Sequence, residues 1–282
     1  MLMGQTAADR GAELIGPAAD DAIASDGVLG TVVVPARFNG PPGSANGGWI
    51  SGTVAGFLAE PAAEAGTGSG WAAEAALRAP TPLEVPLAVE AAADGGVRLV
   101  QGETVLVEAR AANAAGLGEP PPFVGFDEAE QAAAAAAAAA HPFADCFGCG
   151  TARAVGDGLR LLAGQVAGGP PGLVAVPWTV DPSLAGPDGT IGRHLLWSAL
   201  DCPSFWAHRA AAPGEDVAAL LARQTVVVTE TVRPGETYVV VATADSAEGR
   251  KLRSSSAIYT PDGHLLAASA ALWIRVQLPD QG

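Results

Sequence analysis

Apolar residues fall along this chain in a pattern that occurs twice. Residues 28–37, VLGTVVVPAR, form a β-branched run, and Pro35 makes its end an edge or a bend. The stretch FNGPPGSANGG that follows is dense in turn residues. Asn46 then offers an N-cap to WISGTVAGFLAE, a helix that is apolar nearly all round. A helix with no polar face is a buried helix. Its small residues, Gly47, Gly48, Ser51, Gly52, Ala55 and Gly56, predict close approach by a neighbour. Strands are predicted over 71–78, 87–92, 97–101 and 104–111, separated by the turn chemistry of PTPLEVP, ADGG and QGE.

The pattern changes over 112–172. GLGEPPP reads as a stiff linker, and 127–140 starts acidic and runs into alanines, a connector helix by propensity. HPFADCFGCG and a Gly- and Pro-rich loop come next. Then the first pattern returns. A strand is predicted at 173–180 and a mostly apolar helix at 190–209, which Pro203 should kink or restart. Strands follow at 224–232, 237–245, 251–259 and 265–276, joined by RPGE, SAEG and TPDGH. Two α+β units, 28–111 and 173–278, therefore flank an intervening segment, 112–172. Identity between the units is low; the agreement is in element order, spacing and turn chemistry. Residues 1–27 are polar and small, with room for one short helix.

Composition narrows the function. The formal net charge of −15 argues against nucleic acid, whose phosphates need a surplus of Lys and Arg. No stretch is long and apolar enough to predict a membrane span. The start, MLMGQTAADRGAELIG, does not read as a secretory signal, so a cytoplasmic location is expected. Three cysteines do not make a disulfide framework.

A strand, a glycine-led buried helix and a four-stranded meander resemble the hotdog fold of acyl-CoA thioesterases and dehydratases. FNGPPGSANGGWISG resembles the segment entering the central helix in the thioesterase-like branch, and LLWSALDCP, GRKLRSSSAIY and DGHLLAASAALWI resemble a double-hotdog group within it. The resemblance covers roughly 28–111 and 173–276. It implies a tandem hotdog with two central helices, each wrapped by an antiparallel sheet, forming a pseudo-dimer within one chain. It further implies an acyl-CoA or acyl-carrier thioester as substrate, no cofactor beyond the coenzyme A carried by that substrate, and homo-oligomers of pseudo-dimers.

Chemistry is expected first at Asn46, Gly47 and Gly48. A helix start offers unpaired N–H groups and partial positive charge, which polarise a thioester carbonyl and stabilise its oxyanion. The same residues also make an ordinary N-cap and turn. Asp201 is the second candidate. It lies in an apolar helix, where a carboxylate needs a partner or a raised pKa. The resemblance implies a carboxylate about two turns into one central helix, facing the start of the other, which would pair Asp201 with Asn46–Gly48 as general base or nucleophile. The plainer reading has Asp201 cap a helix restart at Pro203. No acid occurs at the matching place in the first helix (Val54, Ala55, Gly56), so at most one complete site per chain is expected.

His194 could share a helix face with Asp201 and bind substrate or serve a hydratase, although a structural role is the commoner one for such a residue. Arg250, Lys251 and Arg253 form the densest positive cluster and could meet coenzyme A phosphates, or simply blunt an edge strand. His141, Cys146 and Cys149 supply too few ligands for tetrahedral zinc, with Asp145 and Cys202 as the further donors suggested. No metal is expected, and the thiols are read as packing the linker or lining the site. Thioester hydrolysis leads. The alternatives are a non-catalytic acyl-thioester or lipid binder, an enoyl-thioester hydratase or dehydratase, and a structural assembly protein.

Overall fold

The computed structural model describes residues 27–59, 71–137, 141–215 and 217–277. The expected short helix before residue 28 and the last alanines of the connector helix lie outside them.

Among the described residues the strands form one 11-stranded sheet. The first unit supplies β1 (Val28–Val33), β2 (Trp71–Leu77), β3 (Pro86–Ala91), β4 (Val97–Gln101) and β5 (Thr104–Ala111). The two-residue β6 (Gly164–Gln165) is followed by β7 (Val174–Thr179), β8 (Ala219–Val228), β9 (Thr237–Glu248), β10 (Lys251–Tyr259) and β11 (Leu265–Arg275). The order is β1-β3-β4-β5-β2-β8-β11-β10-β9-β7-β6. Each unit therefore repeats one order, reversed across the seam, where β2 and β8 pair antiparallel from Trp71 opposite Val228 to Ala76 opposite Arg223.

Helices α1 (Gly47–Ala55) and α3 (Arg193–Ala211) pack on each other and on this sheet. Every residue of α1 from Gly48 to Ala55 is buried, as its missing polar face requires. Trp49, Ile50, Leu196, Trp197 and Leu200 fill the layer between helices and sheet. Two glycines set the helix–helix distance. A Cβ on Gly48 would lie 2.5 Å from the Trp197 carbonyl oxygen and 2.7 Å from the Asp201 Cβ, and one on Gly52 would lie 2.6 Å from the His194 Cα.

Three elements differ from expectation. β8 starts at Ala219 rather than 224, because Ala219, Leu220, Leu221 and Arg223 pair with β11 and so extend the ladder beyond the end of β2. Pro203 does not start a second helical piece, since Arg193–Ala211 is one helix. Pro203 has no N–H for the preceding turn. Two carbonyls of that turn also accept from hydroxyls: Ser256 Oγ donates to the Leu200 oxygen (2.7 Å) and Ser204 Oγ to the Asp201 oxygen (2.7 Å). The alanine helix α2 (Phe126–Ala136) is more than a connector. Its Ala129 and Ala132 join Ala175, Val239, Val241 and Tyr259 in a second small core. β9 is thereby buried on both faces, which accounts for its unbroken VVVA run.

Candidate active site

The residues expected to carry chemistry on α1 and α3 meet at the start of α1. Asn46 caps that helix: its Oδ1 accepts from the Trp49 N–H (2.9 Å) and from Ser198 Oγ (2.8 Å). With the oxygen committed, its NH2 points to α3 and donates to Asp201 Oδ2 (3.0 Å). The Gly48 N–H donates to the same oxygen (2.9 Å). Asp201 therefore spans the two helices and does not cap a helical restart at Pro203. The glycine is what permits this, because a side chain at 48 would occupy the carboxylate's approach.

The second carboxylate oxygen, Oδ1, is buried with no hydrogen-bond partner. Asp201 is 2% exposed, and burial raises its pKa from the ordinary carboxylate range to about 7. The charge of Cys146 adds to the rise, while the bonds from Gly48 and Asn46 oppose it. At neutral pH the group is thus poised between acid and base.

Asp201, Asn46 and Gly47 line one cavity of about 390 Å³. Its walls are mostly apolar, with Ile50, Leu77, Phe143, Phe205, Leu221 and Trp273 among them. The Gly47 N–H, first of the helix, has no partner among the described residues and sits on this wall. The Gly48 N–H is occupied by Asp201, so it is not a free oxyanion donor as expected. The HPFADCFGCG segment also reaches the site: His141, Phe143, Cys146 and Cys149 line the cavity, as does Cys202.

Other expected residues lie elsewhere. His194 rests edge-on against Trp49 (ring centroids 5.6 Å apart) and does not line the cavity. Desolvation lowers its pKa to about 4, so it is neutral at pH 7. Arg250, Lys251 and Arg253 are exposed at the β9–β10 turn and also lie off the cavity. Leu252 between them is buried, which sends Lys251 and Arg253 to the face of the sheet away from the helices. The arginine that does line the cavity is Arg78, ion-paired to Glu108 (2.7 Å). Its place just beyond β2 carried no signal in the sequence.

Fold and site together define an architecture, a hotdog fold with a carboxylate held between two helices. Comparison with solved structures supports that fold. The chain is similar to the tesB protein of Mycobacterium avium subs paratuberculosis, at 15% identity over 88% of this chain and 93% of that one, with a TM-score of 0.59. It is also similar to a hot dog fold protein of unknown function from Alicyclobacillus acidocaldarius (12% identity, 88% and 93% coverage, TM-score 0.55). An acyl-CoA thioesterase II from Mycobacterium marinum is similar at 16% identity, 85% and 92% coverage and a TM-score of 0.50. No protein-family model matches the chain, and no curated protein matches it. Among the described residues no helix is long and apolar enough to cross a membrane.

Proposed function

We propose that the protein is an acyl-CoA thioesterase-like hydrolase with one composite site between the two units of a tandem hotdog pseudo-dimer. The observation that carries this reading is Asp201, a carboxylate with a partnerless Oδ1, lining an apolar cavity at the start of the opposite helix. The acyl chain lies along the apolar wall and the thioester carbonyl faces the Gly47 N–H. Oδ1 takes a proton from water as the hydroxide adds to the carbonyl carbon. The tetrahedral oxyanion is held by the helix start. Its collapse breaks the C–S bond, and Asp201 returns the proton to the departing thiolate, leaving a carboxylic acid and a thiol. A hydratase reading needs His194 beside Asp201 in the cavity, and His194 packs on Trp49 instead.

The experiment is hydrolysis of a panel of acyl-CoAs differing in chain length and branching. Wild type turns over at least one, and Asp201→Asn, which keeps the shape and the acceptor for Gly48, loses about 10²–10⁴ in kcat. Tight binding of acyl-CoA with no turnover by the wild type leaves a non-catalytic binder and removes the hydrolase.

A further inference from the structure

The cavity wall holds three thiols that hydrolysis does not use. Cys146, Cys149 and Cys202 are buried and free of disulfides. Their sulfurs lie within 4.8 Å of one another. The Cys146 and Cys202 sulfurs are 3.8 Å apart. A tetrahedral zinc with Zn–S bonds of about 2.3 Å holds its sulfurs about 3.8 Å apart. The spacing in sequence hides the trio, because Cys202 comes from the middle of α3 and the other two from the loop before β6.

The surroundings are arranged for thiolates. The Cys-Phe-Gly-Cys turn brings the Cys146 and Cys149 sulfurs within 4.8 Å of each other. The Gly150 N–H closes the turn on the Cys146 carbonyl (2.8 Å). The Asn46 NH2 lies 3.8 Å from the sulfurs of both Cys146 and Cys202. Both glycines of the turn are needed for the convergence. A Cβ on Gly148 would lie 2.5 Å from the Cys202 sulfur, and one on Gly150 would lie 2.5 Å from the Cys146 carbonyl oxygen. Apolar packing of cysteines requires no N–H donors aimed at sulfur. Three thiolates around a dication carry a net charge of −1, which such donors offset.

We infer that Cys146, Cys149 and Cys202 bind one thiophilic divalent cation of the zinc class, with its fourth position facing the cavity that Asp201 lines. The expectation of no metal rested on the want of a fourth ligand beside His141, Cys146 and Cys149; the fold instead gathers the two thiols with Cys202, one of the suggested donors, from α3. The inference does not depend on thioester hydrolysis, since metal content is read without substrate.

The test uses the full chain without a histidine tag, purified under reducing conditions. Elemental analysis should find about one zinc per chain. After chelation, Co²⁺ should restore occupancy with sulfur-to-cobalt charge-transfer bands and intense tetrahedral d–d bands. Cys146→Ser, Cys149→Ser and Cys202→Ala should each abolish those bands in protein whose far-ultraviolet circular dichroism is unchanged. If a variant does not fold, wild type decides: removing the cation should lower its melting temperature and returning it should restore it. Wild type that takes up neither Zn²⁺ nor Co²⁺ with its thiols reduced, or that gives only octahedral cobalt bands, overturns the proposal.

Discussion

Asp201 is held by two donors on one oxygen and by nothing on the other, and its raised pKa has two consequences of opposite sign. Its carboxyl is harder to ionise in the folded chain (pKa about 7) than in the unfolded one (about 4). Folding stability from this group is complete below about pH 4 and is lost as pH rises through 7. A general base needs the ionised form, so activity should rise over the upper part of that interval. For protein freed of bound cations, kcat/KM should climb with an apparent pKa near 7. A profile that is flat from pH 5 to 9 would remove Asp201 as the base. Thermal melts of Asp201→Asn should show the complement: a gain of order 1 kcal/mol or more over wild type at pH 8, shrinking toward pH 4. Equal melting temperatures at pH 8 would mean that the carboxylate is not penalised by burial. Asn46→Ala removes both the N-cap and the donor to Asp201. It should cost more than the cap alone, about 1 kcal/mol, in chemical denaturation, because Asp201 is left short of a partner.

The crossing of α1 and α3 is what turns separate residues into a site, and Gly48 and Gly52 control it. A methyl at position 48 meets backbone from Trp197 and Ser198, neither of which can swing away. Gly48→Ala should therefore destabilise by about 1–3 kcal/mol or more. It should also lower kcat more than Asp201 burial alone would suggest, since the Gly48 N–H moves off Oδ2. Wild-type stability and rate in this variant would show that the helices do not touch there. Much of this was legible in the sequence. The all-apolar helices, the small-residue stripe of α1 and the alternating strands each follow from a local period. Asp201 stood out because an acid in an apolar helix has to be accounted for. What was not legible depends on contacts distant in sequence. Cys202 was only a suggested further donor until the fold brought it to Cys146 across 56 residues, and the Gly48 N–H proves to be taken by Asp201 rather than left for substrate. β8 begins five residues before the expected Gln224 because Ala219–Arg223 find partners on β11, a pairing between segments distant in sequence.

At the scale of the whole chain, two units share one sheet but only one of the two helix starts is equipped. α3 begins at Gly192, Arg193 and His194, with no side-chain cap, where α1 begins at Asn46, Gly47 and Gly48. The position in α1 that stands as far from its N-cap as Asp201 does is Ala55, which is fully buried. His194 meets Gly52 and Trp49 at the corner where a second carboxylate would need to be. Under the proposed function, one unit supplies the helix start and the other supplies the acid. One consequence is stoichiometric. A non-hydrolysable thioether analogue of the best acyl-CoA substrate, titrated calorimetrically into wild type, should saturate at one per chain. A stoichiometry of two would show that the unequipped corner binds as well. The converse experiment is to install the missing acid. Ala55→Asp places a carboxyl at a fully buried position of α1, so it should cost several kcal/mol and create no second activity. In the double variant Ala55→Asp with Asp201→Asn, hydrolysis should stay at the level of Asp201→Asn alone. Recovery of turnover in that protein would mean that the two corners are interchangeable and that the asymmetry of the helix starts is not what makes the site.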